Sequence, residues 1–324
     1  MGLRQPPKQD KPGRLFIRML TLVALIAGVG VLVWAFSVDS RIDLVEDLTV
    51  ASLELDPETF VTVDDLDIHV VDLTVGNLPV VLLHDVDVSG GVVFDQLAPL
   101  LEGDLRAVTL DLPGFGLSER MPTEGAHHTV GVMAGVVADV VQQRYGAPVV
   151  LLGVGLGGKV AAEVAVVRPE TVAGLVMVDV DFWSIDGWRE RLQRWPLIGR
   201  PMTFTFETSG SRALDTWAPH CDAGGWCPTA DQVRKRGVTA TIIDSTDSIN
   251  AFRETRPASF VPTDLDRITV PVAYVWSLKG NVSRDSVERI QGELPDMTIF
   301  EVDTWMAHVE APGEVVTAIR SVSG

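Results

Sequence analysis

Residues 153–158 read Gly-Val-Gly-Leu-Gly-Gly, between the apolar run Pro148–Leu152 and the small-residue stretch Lys159–Val167. A strand, a glycine-rich turn and a helix in that order serve three chemistries. Gly153, Gly155 and Gly158 fit the G-x-G-x-x-G pattern, in which a dinucleotide pyrophosphate rests on a helix N-terminus. Asp179, at the end of the next apolar run, would then be the ribose-binding acid. Residues 153–159 also fit G-x-x-x-x-G-K of a triphosphate loop, but Val160 stands where Ser or Thr should hold the metal. The third device is the sharp turn that displays a nucleophile. Its central position falls on Gly155, and no Ser, Cys or Asp occurs between 148 and 160.

Other side chains capable of chemistry are few. His84, Asp85 and Asp87 form one local group without a fourth ligand, so no metal site is expected. His127 and His128 sit at a helix start and read as surface residues. His308 and Asp181 are available as a base and an acid. Cys221 and Cys227 are the sole cysteines and flank a Gly-Gly. In an oxidising compartment they are expected to pair. Free thiols, or a metal site with His220, are the alternatives.

The elements that must position these groups alternate along the chain. Residues 59–63 and 68–75 read as a hairpin. Apolar runs at 79–84, 107–112, 148–153, 174–180, 270–276 and 297–302 suit strands buried on both faces of a parallel sheet. Helical stretches are expected at about 93–102, 129–144, 156–167, 284–293 and 313–321. The expected fold is α/β, a doubly wound, mostly parallel sheet. Residues 182–262 break the alternation and read as an inserted helical cap. Its five tryptophans, 183, 188, 195, 217 and 226, could line a pocket, touch a membrane or pack the cap onto the sheet. Packing is the expectation.

The chain is 46% hydrophobic and 22% charged, a globular composition, and its net charge of −18 excludes nucleic acid as a partner. The charge is uneven. Arg4, Lys8, Lys11, Arg14 and Arg18 face only Asp10, and Met19–Val38 then carries no charge over 20 residues. At about 1.5 Å per residue this run spans a hydrocarbon core of roughly 30 Å. Basic residues before it and acidic residues after it place the N-terminus in the cytoplasm and the rest outside. The expected organisation is a basic tail (1–18), a transmembrane helix (19–38), a polar linker (39–56) and a main domain (57–324). A cleaved signal peptide is the rival, but the apolar run exceeds the usual core of about 7–15 residues.

Over about 57–181 and 264–322 the chain resembles the α/β-hydrolase family, in its cap-bearing branch of esterases, lipases, haloalkane dehalogenases and epoxide hydrolases. The motifs that carry the resemblance are Val80–Gly90, the Asp111-x-Pro113-Gly114-x-Gly116-x-Ser118 loop, the turn and helix at 153–170, Val270–Val282 and the Glu310-Ala311-Pro312 tail. The resemblance implies a nucleophile, an acid and a base at Gly155, Gly280 and Trp305, so none of the three is chemically intact. It implies oxyanion donors at the backbone N–H groups of Val86 and Leu156, with Asp85 and Asp87 opposing an oxyanion if they point inward. His308 and Asp181 are the rescue candidates, and neither supplies a nucleophile. His84 is expected to be structural.

Losing a triad nucleophile or base costs about 10⁶ in kcat. The expectation is therefore a membrane-anchored, extracytoplasmic, catalytically dead hydrolase-like protein, with no cofactor. It would bind an apolar or acyl-type ligand under the cap, or an envelope protein. His84, Asp85, Trp183 and Trp305 are the expected pocket residues. Glycine at 155 is expected to let the strained turn relax. An active enzyme with relocated groups and a dinucleotide-binding protein are the alternatives.

Overall fold

The structure, a computed structural model, describes residues 12–86, 90–123, 127–183, 187–209, 221, 226–259 and 264–324, without the side chains of 12–15 and 256–259. Asp87, Trp217 and His220 lie outside the described residues.

Eight strands form one sheet: β1 (Phe60–Val63), β2 (Leu66–Asp72), β3 (Leu78–Leu83), β4 (Leu105–Leu110), β5 (Val149–Val154), β6 (Val172–Val178), β7 (Val272–Ser277) and β8 (Thr298–Val302). Their order is β1-β2-β4-β3-β5-β6-β7-β8. The β1–β2 and β2–β4 pairings are antiparallel, and every later pairing is parallel. The fully buried central strands, β3 to β7, are the near-unbroken Val/Leu runs of the sequence, as burial on both faces requires. One face packs on α2 (Val130–Tyr145) and α3 (Leu156–Val167), through Met133, Val137, Val160 and Val164. The other packs on Phe94, Leu97 and Leu101 and on the C-terminal helix Pro312–Ser321. Thr129 caps α2 by accepting the Val132 N–H, and Gly146 ends it in the left-handed region.

Two expectations change. The helix expected at 93–102 is two short 3₁₀ turns, Gly90–Phe94 and Ala98–Leu101. Its apolar residues serve as a plug on the sheet, and Pro99 restricts the backbone between them. The segment after the apolar run is not a free linker. The first helix, α1, runs from Pro12 to Val45, and Ile42 on its extension is fully buried. Arg200 donates to Asp39 at 3.0 Å, Asp43 at 2.6 Å and Asp247 at 2.6 Å, and so ties α1 to the cap. Glu46 accepts the Thr246 N–H at 2.9 Å and its hydroxyl, and Leu48 bridges Ile242. Phe16–Val45 is long and apolar enough to cross a membrane, and its most apolar window is only 6% buried.

The described parts of 182–262 are helical: Trp188–Gln193, Gly199–Thr203, α6 (Ala230–Ala240) and α7 (Ser245–Ser259). Thr229 and Gln232 form a capping box on α6. Cys221 and Cys227 are joined, with Cα atoms 4.7 Å apart. The expectation that the cap tryptophans pack inward fails for Trp188 and Trp195, which are 64% and 62% exposed.

Candidate functional site

β5 ends at the glycine turn, and Gly155 holds φ +50°, ψ −110°. The turn has not relaxed. A residue with a Cβ would be strained there, and glycine adopts the conformation freely. The neighbouring glycines answer to packing: a Cβ on Gly157 would lie 2.1 Å from the Leu83 carbonyl oxygen. That close approach seats α3 against β3; at the pattern positions a Cβ on Gly153 would lie 2.2 Å from the Gly157 carbonyl carbon and one on Gly158 2.2 Å from Val180 Cγ2, so packing accounts for glycine there as well.

Asp85 decides what the turn can do. Its Oδ1 accepts the Leu156 N–H at 2.7 Å. A Cβ on Gly155 would lie 2.3 Å from the Asp85 Cγ. The carboxylate therefore stands where a nucleophilic side chain would begin, and it takes one of the two expected oxyanion donors. His84 holds it there from behind. The buried imidazole donates from Nδ1 to the Asp85 carbonyl at 2.6 Å and accepts the Leu112 N–H at Nε2, 2.9 Å away. Both ring nitrogens are engaged within the fold, and His84, expected among the pocket residues, does not line the cavity.

The acid position gives a similar picture. A Cβ on Gly280 would come within 3.0 Å of the Ser277 carbonyl oxygen. The carboxylate at this end of the sheet belongs instead to Asp179, which accepts the Ser277 N–H at 2.7 Å and its hydroxyl at 2.6 Å. Ser277 Oγ in turn accepts the Ala307 N–H at 2.9 Å. Burial pushes the Asp179 carboxyl up to about 6, with the charge of Asp85 adding to the effect and the Ser277 bonds opposing it. Asp179 thus fastens β6, β7 and the 307–310 turn together, and its oxygens are already engaged.

Trp305, at the base position, is 49% exposed and lines neither cavity described below. Its N–H donates to the Glu310 carboxylate at 3.2 Å. It neither fills the site nor walls it. His308 is buried against Phe94, their ring centroids 6.1 Å apart, and its Nδ1 has no hydrogen-bond partner among the described residues. Burial pushes its pKa down to about 4, with Asp85 pulling the other way, so the imidazole is neutral near pH 7. Asp181 accepts the Trp183 N–H at 2.9 Å. No hydrogen bond joins His308 to Asp181, and His308 is absent from the cavity wall, so the two rescue candidates are not brought together. Trp183 also stays off that wall; it stacks under Arg289 at 4.0 Å. Of the four expected pocket residues, only Asp85 lines the elbow cavity.

That cavity is about 240 Å³, bounded by Asp85, Val86, Leu156, Lys159, Asp179 and Asp181 among others. It is smaller than the roughly 300–1,000 Å³ of ordinary small-molecule sites, and its wall sets three carboxylates against Lys159 and Arg253 where an acyl chain would need an apolar lining. A second cavity of about 700 Å³ lies between the cap helix α6 and the antiparallel end of the sheet. Leu53, Leu55, Val71, Leu73, Val92 and Val238 supply its apolar walls, and Arg234, Lys235 and Asp95 also line it. His69 lies on this wall and donates from Nδ1 to Asp111 at 3.0 Å. Asp111 also accepts the Gly91 N–H at 2.6 Å and the Leu117 N–H at 2.9 Å, so its motif loop is held by a buried carboxylate. These hydrogen bonds to its charged form hold Asp111 below the usual carboxylate range against the opposing effect of burial.

Sequence reasoning missed this cavity. Its one local signal is the alternation of His69 and Val71 on one face of β2, continued by Leu73 just past its end. The rest of the wall comes from segments distant in sequence. His128, expected at the surface, is fully buried with both ring nitrogens unpartnered among the described residues, and burial lowers its pKa to about 4. Its backbone carbonyl accepts the Thr255 hydroxyl of α7 at 2.8 Å, so the cap covers it. His127 is exposed, as expected. Among the described residues no group of three His, Cys, Asp or Glu is placed to hold a metal ion.

A family model described as "Alpha/beta hydrolase family" matches residues 80–318. A "Serine hydrolase-like protein" of Danio rerio is 35% identical over 102 residues, 31% of this chain and 30% of that one. A "Pimeloyl-[acyl-carrier protein] methyl ester esterase" of Yersinia enterocolitica is 33% identical over 118 residues, 35% of this chain and 41% of that one. The chain thus spans well under half the length of these curated relatives. Among solved structures, a membrane phospholipase A described as a bacterial virulence factor aligns with TM-score 0.63 and 22% identity. That alignment covers 96% of this chain and 97% of the other.

Proposed function

Since the chain belongs to the alpha/beta hydrolase family, we propose that it is a membrane-anchored member that has lost acyl-transfer chemistry and acts by binding. The observation that carries this reading is the Asp85 carboxylate on the Leu156 N–H, above a glycine where the nucleophile should be. An acyl-transfer intermediate needs that N–H for its own oxyanion. Here the donor already serves a carboxylate of the same sign. Two unit charges about 4 Å apart at an effective dielectric near 20 repel by about 4 kcal/mol, a factor of about 10³ in rate. This comes on top of the missing nucleophile and base.

The ligand proposed is an apolar, acyl-type molecule held in the 700 Å³ cavity beneath α6, whose walls suit it better than the small, charged elbow cavity. α1 would keep the domain at the membrane, where such ligands are concentrated. The uneven charge around residues 19–38 supports a cytoplasmic N-terminus. An envelope protein is the other partner class.

The test uses the full chain in lipid nanodiscs. Short acyl p-nitrophenyl esters and a fluorophosphonate probe measure chemistry. A fluorescent hexadecanoic acid, with Val238→Trp as the cavity-filling variant, measures binding. The expectation is no turnover above the buffer rate, no labelling, and fatty-acid binding weakened by Val238→Trp. Turnover abolished by a single substitution would sink the proposal.

A further inference from the structure

One contact between the cap and α1 lies inside the apolar run. Ala35 is buried against Ile198 and Met202, with Leu192 and Phe206 packed around them. Ala35 is three residues before the end of the uncharged stretch at Val38, so this contact lies about 5 Å inside that end of the apolar span. The ion pairs from Arg200 to Asp39 and Asp43 follow one turn further on.

The same cap segment, residues 187–200, carries Trp188, Trp195 and Leu197 at 64%, 62% and 72% exposure. Three large apolar side chains left outside a domain with a well-filled core call for an occupant. The segment also exposes Arg189 and Arg191, beside Glu190, in a chain of net charge −18, whereas Arg194 donates to the Arg253 carbonyl and Arg200 to Asp39, Asp43 and Asp247. The Arg189 guanidinium lies 5.5 Å from the Trp188 ring and 5.3 Å from the Phe206 ring. Tryptophan beside arginine, at the depth where an apolar helix leaves the hydrocarbon, is the composition of a membrane interface.

We propose that the cap segment 187–200 is seated in the interfacial layer of the bilayer that α1 crosses, with Trp188, Trp195 and Leu197 in the headgroup–acyl boundary and Arg189 and Arg191 toward lipid phosphates. This rests on the reading of α1 as a membrane span. The partner is the lipid surface, because continuity with α1 fixes the depth of the patch and its cations match anionic headgroups. The seating makes a second attachment, so α1 and the cap together set the orientation of the domain and bring the α6 cavity close to the membrane.

The experiment is site-directed spin labelling of the full chain in nanodiscs of phosphatidylcholine with phosphatidylglycerol. Nitroxides are placed singly at positions 188, 195 and 197, at position 29 within α1, and at exposed Leu278. Depth is read from relaxation by oxygen against a water-soluble nickel complex. Labels at 188, 195 and 197 are expected at interfacial depth, 29 in the hydrocarbon and 278 in water. Aqueous readings at 188, 195 and 197 with 29 in the hydrocarbon would overturn this proposal alone. An aqueous reading at 29 would overturn the membrane span, and this proposal with it. As a check independent of labelling at the patch, Trp188→Glu with Trp195→Glu should move a label at 197 into water. No movement, with the protein still folded, would count against the seating.

Discussion

Gly155→Ser, which would reinstate a nucleophile in form, should destabilise the protein and leave it inactive. At φ +50°, ψ −110° a residue with a Cβ is strained by about 1–3 kcal/mol. Its Cβ would also lie 2.3 Å from the Asp85 Cγ, so Asp85 must move and release the Leu156 N–H. A hydrogen bond to a charged group contributes about 1.5–3 kcal/mol, and the exposure of Asp85 argues for the lower part of that range. The total is about 3–5 kcal/mol. At roughly 2–4 °C per kcal/mol for a domain of this size, the unfolding midpoint should fall by about 10 °C. Urea unfolding of Gly155→Ser, Asp85→Ala and the double variant measures this directly. Asp85→Ala removes the collision in advance, so the double variant should lose less than the sum of the singles, by about 1–3 kcal/mol. Gly155→Ser within about 0.5 kcal/mol of the parent, or strict additivity in the cycle, would refute the geometry argued for the elbow. Fluorophosphonate labelling of Gly155→Ser would refute the claim that the site lacks a base to activate the new hydroxyl.

Glu46 joins the end of α1 to α7, and burial raises its pKa to about 7 despite its hydrogen bonds to Thr246. Its folded pKa exceeds the unfolded 4.5, so the folded state holds the proton more tightly. Stability should fall as pH rises from about 4.5 through 7, and Glu46→Gln should abolish that decline and stabilise the protein at pH 8, as read by unfolding at several pH values. His128 and His308 act in the opposite sense: with pKa values pushed down from 6.5 to about 4, they cost stability as pH falls through that window. His128→Leu should flatten this acid limb, by up to about 3 kcal/mol at pH 4, and an unchanged limb would refute the buried neutral imidazole. Arg200→Met should loosen the cap from α1, seen as faster hydrogen exchange over 199–203 and 245–250 with the central strands unaffected. A calorimetric titration with NAD or NADP should be flat, because the Asp85 carboxylate occupies the helix N-terminus that a pyrophosphate would need.

Much of the scaffold was legible because its causes are local. The Val/Leu runs of β3 to β7 require burial on both faces, and seven of the eight expected strand spans agree with the observed ones to within two residues at each end. The helices at 130–145 and 284–293 carry side-chain caps at Thr129 and Ser283, and those at 156–167 and 284–293 end just before Pro169 and Pro295. The stretch 93–102 was misread because apolar spacing alone cannot separate an α-helix from two 3₁₀ turns pressed onto a sheet. The emptiness of the elbow was legible too, since a glycine at 155 has no side chain whatever its surroundings.

What that emptiness became was decided in three dimensions. Whether Asp85 points inward depends on His84 gripping its carbonyl while reaching Leu112. The burial of His128 depends on a cap helix more than a hundred residues away, and the wall of the larger cavity comes from segments between Leu53 and Thr239. The 20-residue charge-free run determined that a membrane could be crossed, because length and hydropathy are properties of the chain. That the cap meets this run at Ala35, leaving two tryptophans exposed beside it, follows from packing between distant segments, which no local pattern encodes.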